Sequence, residues 1–264
     1  MKGFGWAVAA AVLVVALVVA LVTSNQPGPV HGWFVPLVAP AEGTTEVAAA
    51  ASGVPVSDPA ATAPAADAAS RIIAPLGNAD RVSPSWASTA AVRTGIPERA
   101  VRAYSGASLA LAAQQQRCHL GWTTLAALGA IESGHGTNGG SRIGENGVAR
   151  PGIFGPRLDG GAFGAVADTD DGRIDGDKTW DRAVGPLQFI PSTWARWGAD
   201  GNGDAVADPQ QLDDAALAAG RYLCSYGDLS VPATWRAAVF AYNHLDSYVT
   251  SVADLARHYD RAAG

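Results

Sequence analysis

Prolines at 36, 40, 55, 59, 64 and 75 interrupt every candidate element between Asn25 and Ser83, in a stretch otherwise dominated by Ala, Gly, Val, Ser and Thr. Proline lacks the backbone donor that a helix or a central strand needs, and its ring clashes with the preceding helical turn. No hydrophobic periodicity lasts a helix length there, so residues 25–83 read as a disordered, flexible linker. Whatever packs into a core has to be built from Pro84 onward.

The segment ahead of this linker is of a different kind. Lys2 is followed by Gly3 to Val22 without a charge, mostly Ala, Val and Leu. That is the length of a membrane span of about 20 residues, longer than a secretory core of about 7 to 15. Residues 1–24 are therefore expected to form an N-terminal transmembrane anchor, with a cleaved signal and a secreted product as the alternative. Lys2 on the short side, and no Lys or Arg between Val22 and Arg71, orient the remainder out of the cytoplasm, into the cell envelope.

Two cysteines, Cys118 and Cys224, suit an oxidising compartment, where an even count points to a disulfide. A net charge of -6 without a basic patch argues against nucleic acid as a partner.

Regular structure is expected over 84–264, and it is mainly α. Ile96-Pro97-Glu98-Arg99 sets proline and an acid at a helix start that runs towards Gln116, and a second helix spans about Thr123 to Ser133. A Gly-rich loop from Gly134 to about Arg182 is too long for a simple connection, which marks it as functional. Beyond it, Pro191 to Trp197, Asp213 to Tyr226, Pro232 to Tyr242 and Leu245 to Tyr259 read as helices. Ala216, Leu217, Gly220, Leu223 and Cys224 share one face of the second of these, carrying Cys224 towards the core. No strand-length alternation is visible in this half.

Glu132 is the candidate catalytic group. Stepping back along its helix face reaches Gly129, Leu128 and Leu125, so the carboxyl has apolar or missing neighbours. Gly134 and Gly136 end the helix just beyond, leaving Glu132 in the last turn, where the macrodipole opposes negative charge. Both effects raise its pKa, as a general acid at neutral pH requires. Glu132 and His135 also form an E-x-x-H pair, but a dinuclear bundle site needs that motif twice and no second copy exists.

Three ordered motifs carry a resemblance: Ile131-Glu132-Ser133-Gly134-His135-Gly136, then Asp181 to Trp194 with its Gly185-Pro186-Leu187-Gln188 core, then Ala241-Tyr242-Asn243. Over about Pro84 to Tyr259 the chain resembles the membrane-bound lytic murein transglycosylase B-like family, in its actinobacterial version. The resemblance implies a lysozyme-like helical transglycosylase domain with long loops. It further implies cleavage of the β-1,4 bond between N-acetylmuramic acid and N-acetylglucosamine in peptidoglycan glycan strands, with a 1,6-anhydromuramoyl product. Glu132 would be both acid and base, and no cofactor is needed for the chemistry. By the same resemblance Gln188, Asn243 and Tyr242 contact the glycan, and Ser133 follows and orients the acid. Trp180, just ahead of the Gly-Pro-Leu-Gln segment, is the tryptophan best placed for sugar stacking. A muramidase using water, and a glycan-binding protein without catalysis, are the competing readings; protein partners are not indicated.

Asp200, Asn202, Asp204 and Asp208 place side-chain oxygens at positions 1, 3, 5 and 9 of a calcium loop, with the Val206 carbonyl at 7. Ala205 replaces the usual glycine at 6 and Gln211 the glutamate at 12, so Asp213 or Asp214 would have to supply the last carboxylate. A structural calcium ion and a metal-free Asx-turn loop both remain open. The acidic run Asp168 to Asp177 fails this template and is expected to be a cleft-side loop.

Overall fold

The computed structural model describes residues 76–161 and 164–264. The expected anchor, and all of the expected linker up to residue 75, lie outside the described residues. Among those described, no helix is long and apolar enough to cross a membrane.

Seven α-helices make up about half of the described structure: α1 Pro84–Thr94, α2 Glu98–Gln114, α3 Trp122–Ser133, α4 Pro191–Trp197, α5 Leu212–Cys224, α6 Pro232–Tyr242 and α7 Asp246–Ala263. Proline opens α1, α4 and α6 at the first turn, where its missing donor costs nothing. The helices expected from sequence are present, with ends shifted by a few residues.

The fold begins earlier than Pro84. Asn78–Arg81 forms a short 3-10 helix that lies against α2 so closely that a Cβ on Gly106 would sit 2.1 Å from the Asn78 carbonyl oxygen. Ala79 and Val82 are buried there, and the Asn78 amide donates to the Gly201 carbonyl at 2.7 Å. The expected domain boundary therefore moves upstream, because apolar side chains in this short segment find a surface of small residues to pack on.

The core is organised around α3 and α5, which are buried on nearly all sides. α2 presents Ala100, Ala103, Tyr104, Ala107, Ala110 and Leu111 to them, alternate steps of three and four residues that draw one stripe along the helix. Leu109 falls off that stripe and is exposed. α7 covers α3 with Tyr248, Val249, Val252, Ala256 and Tyr259, while its other face is polar. Cys118, in the connection between α2 and α3, is disulfide-bonded to Cys224 at the end of α5.

The Gly134 to Arg182 stretch is not a plain loop. It holds two antiparallel pairs, β1 Arg142–Ile143 with β2 Ala149–Arg150, and β3 Phe154–Arg157 with β4 Arg182–Val184. Strands of two to four residues are too short to show an alternating pattern, which is why the sequence does not announce them.

Candidate active site

Glu132 lies one residue before the end of α3, where Gly134 turns left-handed at φ 58° and closes the helix by donating to the Ala130 carbonyl. Its side chain is 3% exposed. Oε1 accepts a 2.5 Å hydrogen bond from the Tyr248 hydroxyl of α7. Oε2 is buried without a hydrogen-bond partner. Burial pushes the carboxyl up to about 8, against a smaller lowering by the Tyr248 bond. At neutral pH this group is a carboxylic acid holding its proton.

The Gly185-Pro186-Leu187-Gln188 segment is a tight reversal closed by two backbone hydrogen bonds between Val184 and Phe189. Gly185 has φ 79°, and a Cβ there would stand 1.8 Å from the Pro209 carbonyl oxygen, so only glycine fits. Gln188 adopts the left-handed region at φ 52° without being glycine, a cost the surrounding structure must hold in place.

Two hydroxyls fasten this turn to the helices. Ser133 Oγ donates to the Pro186 carbonyl at 2.6 Å and accepts from the Gly136 amide at 2.8 Å. Tyr242, at the end of α6, donates to the Leu187 carbonyl at 2.8 Å. Tyr242 is also close enough to Glu132 for a negative carboxylate to raise its own pKa, after burial the next cause. The ends of α3, of α6 and the turn thus converge on one place.

The structure places Ser133 and Tyr242 against this turn. Neither lines an open cleft, since Ser133 is fully buried and Tyr242 nearly so, and both hydroxyls are occupied by carbonyls of the turn. Gln188 is also buried, with Nε2 donating to the Gly185 carbonyl at 2.8 Å. Asn243 is buried beside Tyr242, and its Oδ1 has no hydrogen-bond partner. Trp180 is half-buried in the loop ahead of β4, paired with Ala167. A cavity of about 590 Å³ opens elsewhere, between the starts of α3 and α6 and the face of α7, lined by Thr124, Trp235 and Arg257 among others. None of the candidate site residues lines it.

His135 is held away from any metal role. Its Nδ1 faces the Tyr104 hydroxyl at 3.3 Å and its Nε2 the Tyr259 hydroxyl at 3.2 Å. Burial lowers it to about 4, so the ring is a neutral spacer between two phenols. Tyr248 is the group that sequence reasoning missed, because an aromatic on the buried stripe of α7 reads as core and nothing local shows where its hydroxyl points.

The expected calcium loop is held by its own backbone. Asp200 accepts from the amides of Gly203 and Ala205, Asn202 from Asp204, Asp204 from Val206 and Asp208 from Gln210. Gln211 caps α5, its Oε1 accepting from the amides of Asp213 and Asp214. The substitutes for a twelfth ligand are taken as well. Asp213 pairs with Arg99, and Asp214 receives the amides of Gly201, Asn202 and Asp208. Each side chain named for a twelfth position therefore already has a protein partner, and the front of the loop is closed by Asx-type bonds.

Carboxylates gather instead in the other acidic loop, where Asp168, Asp170 and Asp181 bring oxygens within 4.8 Å of one another. Asp181 is fully buried, and burial together with the charges of Asp175 and Asp170 raises its pKa against the two bonds from Thr169.

No protein-family model, curated protein or solved structure matches this chain.

Proposed function

We propose that this protein is a lytic transglycosylase that cleaves the β-1,4 bond between N-acetylmuramic acid and N-acetylglucosamine in peptidoglycan and leaves a 1,6-anhydromuramoyl end. The observation that carries the reading is the setting of Glu132: a buried carboxyl at the end of an apolar helix, its pKa raised by burial, with one oxygen on Tyr248 and the other unpartnered. A general acid is most effective when its pKa lies near the working pH. The mainly helical architecture supports assignment to a lysozyme-like domain.

In the proposed reaction, Glu132 gives its proton to the glycosidic oxygen as the bond from that oxygen to C1 of the muramic acid breaks. The resulting carboxylate takes the proton of the C6 hydroxyl while O6 bonds to C1. One carboxyl serves both steps and no water enters, so a second carboxylate is not required. In keeping with this, the causes that shift Glu132 are burial and Tyr248, with no acidic side chain among them. The Gly-Pro-Leu-Gln turn, clasped by Ser133 and Tyr242, keeps Gln188 in place, and Asn243 offers its unpartnered oxygen to the sugar's N-acetyl group. Because Glu132 is closed from solvent, glycan entry displaces the side chains over it, Tyr248 first. Anchoring through residues 1–24 with the catalytic part outside the membrane belongs to the same proposal.

The test is mass spectrometry of muropeptides released from purified peptidoglycan by the full chain and by Glu132→Gln. Products one water lighter than hydrolysed muropeptides, absent with the variant, are expected. Reducing-end products would make the protein a muramidase. Binding without release would remove catalysis altogether.

A further inference from the structure

The loop between β3 and β4 contains a feature that the proposed glycan chemistry does not use. Asp168, Asp170 and Asp181 converge there, and two of the three are buried. Like charges brought together out of water repel one another unless a cation stands between them. None of the hydrogen bonds of Arg157, Arg173 and Arg182, the arginines of this region, goes to the three carboxylates. Arg157 pairs with Asp177, Arg173 donates to the Asp170 backbone carbonyl, and Arg182 donates to that of Gly155.

A second observation is independent of the clustering. Asp170 is 8% exposed, and while its Oδ2 accepts from the Ile174 amide at 2.9 Å, its Oδ1 is buried with no hydrogen-bond partner at all. A buried anionic oxygen without a donor carries a large desolvation penalty, and such a group calls for an ion or another explanation. The remaining oxygens are oriented by the loop itself. Asp168 Oδ1 receives the amides of Asp170 and Gly172, and Asp181 receives the amide and hydroxyl of Thr169.

We infer that Asp168, Asp170 and Asp181 form a binding site for a single calcium ion, distinct from the Asp200 loop. Calcium holds oxygen ligands at about 2.3–2.6 Å, so two ligands of one ion lie at most about 5 Å apart. The 4.8 Å envelope of the three carboxylates fits that limit. An irregular loop favours calcium over magnesium, which demands near-octahedral geometry. The ion would cross-link the two arms of the loop, since Asp168 and Asp170 sit on one arm and Asp181 on the other. Asp181 leads directly into β4 and the Gly-Pro-Leu-Gln turn, so calcium would set the register of that approach and the position of Trp180.

The experiment is isothermal titration of calcium chloride into the chelator-stripped full chain in detergent, with magnesium chloride in parallel and thermal midpoints with and without calcium. One calcium per chain, a midpoint raised by several degrees and a weaker response to magnesium are expected. Asp170→Asn should weaken calcium binding at least tenfold, and Asp200→Asn should leave it unchanged. Removal of a buried, unpartnered charge should leave the metal-free midpoint of Asp170→Asn at or above that of the metal-free wild type, which separates a lost ligand from a lost fold. Should that variant fail to fold, Asp168→Asn, at a half-buried position, is expected to show the same tenfold loss. Absence of any calcium response in the wild type overturns the inference, as does calcium binding that survives both Asp170→Asn and Asp168→Asn or is abolished by Asp200→Asn.

Discussion

Ser133 Oγ and the Pro186 carbonyl oxygen meet at 2.6 Å across 53 residues of sequence, joining the last residue of α3 to the turn that carries Gln188. The bond is fully buried, and the same hydroxyl accepts from Gly136, so one small side chain satisfies two backbone groups. Ser133→Ala leaves both without partners, at a cost of about 1–3 kcal/mol for each. A drop of several degrees in the thermal midpoint is expected, together with a loss of glycan cleavage larger than the fraction unfolded explains.

The pH dependence of activity should follow Glu132. With its carboxyl up at about 8, kcat/KM is expected to hold through neutrality and then fall roughly tenfold per pH unit on the alkaline side. A limb that instead breaks near the ordinary 4.5 of a glutamate would contradict the buried acid.

Stability should respond to the same proton. The folded chain keeps it to about pH 8 and the unfolded chain releases it near 4.5, so the native state binds more protons between those values. Stability therefore falls as pH rises through that window and levels off above it. Glu132→Gln removes this slope, and denaturant midpoints measured across the window should show the variant gaining on the wild type towards pH 8.

Tyr248→Phe tests the one hydrogen bond that Glu132 accepts. That bond lowers the acid's pKa, so its removal should move the alkaline limb of the activity profile to higher pH while cleavage persists. An unmoved limb would show that Tyr248 does not reach Glu132 in solution.

Gly129→Ala probes the packing behind the acid. A Cβ there would stand 2.0 Å from the Tyr104 hydroxyl and 2.6 Å from Cζ of the same fully buried ring. Overpacking of this kind costs about 1–3 kcal/mol, and calorimetric unfolding should register it.

Much of the helical frame was legible because its signals are local. Pro191 and Pro232 open helices, Gly134 closes one in the left-handed region, and the apolar residues preceding Glu132 on its helix foretold its burial, whereas the helix Pro84–Thr94 was not read from the sequence. What escaped depends on distant partners. Tyr248 reaches Glu132 over 116 residues, and no pattern around Tyr248 marks its hydroxyl as different from that of any core tyrosine. The bonds of Ser133 and Tyr242 to the turn escaped for a related reason: their carbonyl partners lie 53 and 55 residues away in sequence. The acidic loop fails a spacing template because its third carboxylate arrives from the opposite arm, where Ala167 bridges Trp180.

Gln211 is held by neighbours outside its own loop. Its Oε1 caps α5 and its Nε2 donates to Asp213 Oδ2 at 2.7 Å and to the Asn146 carbonyl at 3.1 Å. Exchanging this amide for the glutamate that completes a calcium template would turn the donor into an acceptor facing both the Asp213 carboxylate and a carbonyl. The single-letter route from this loop to an EF-hand is thereby blocked by a neighbour outside the motif, and any such conversion has to alter Asp213 and its partner Arg99 at the same time.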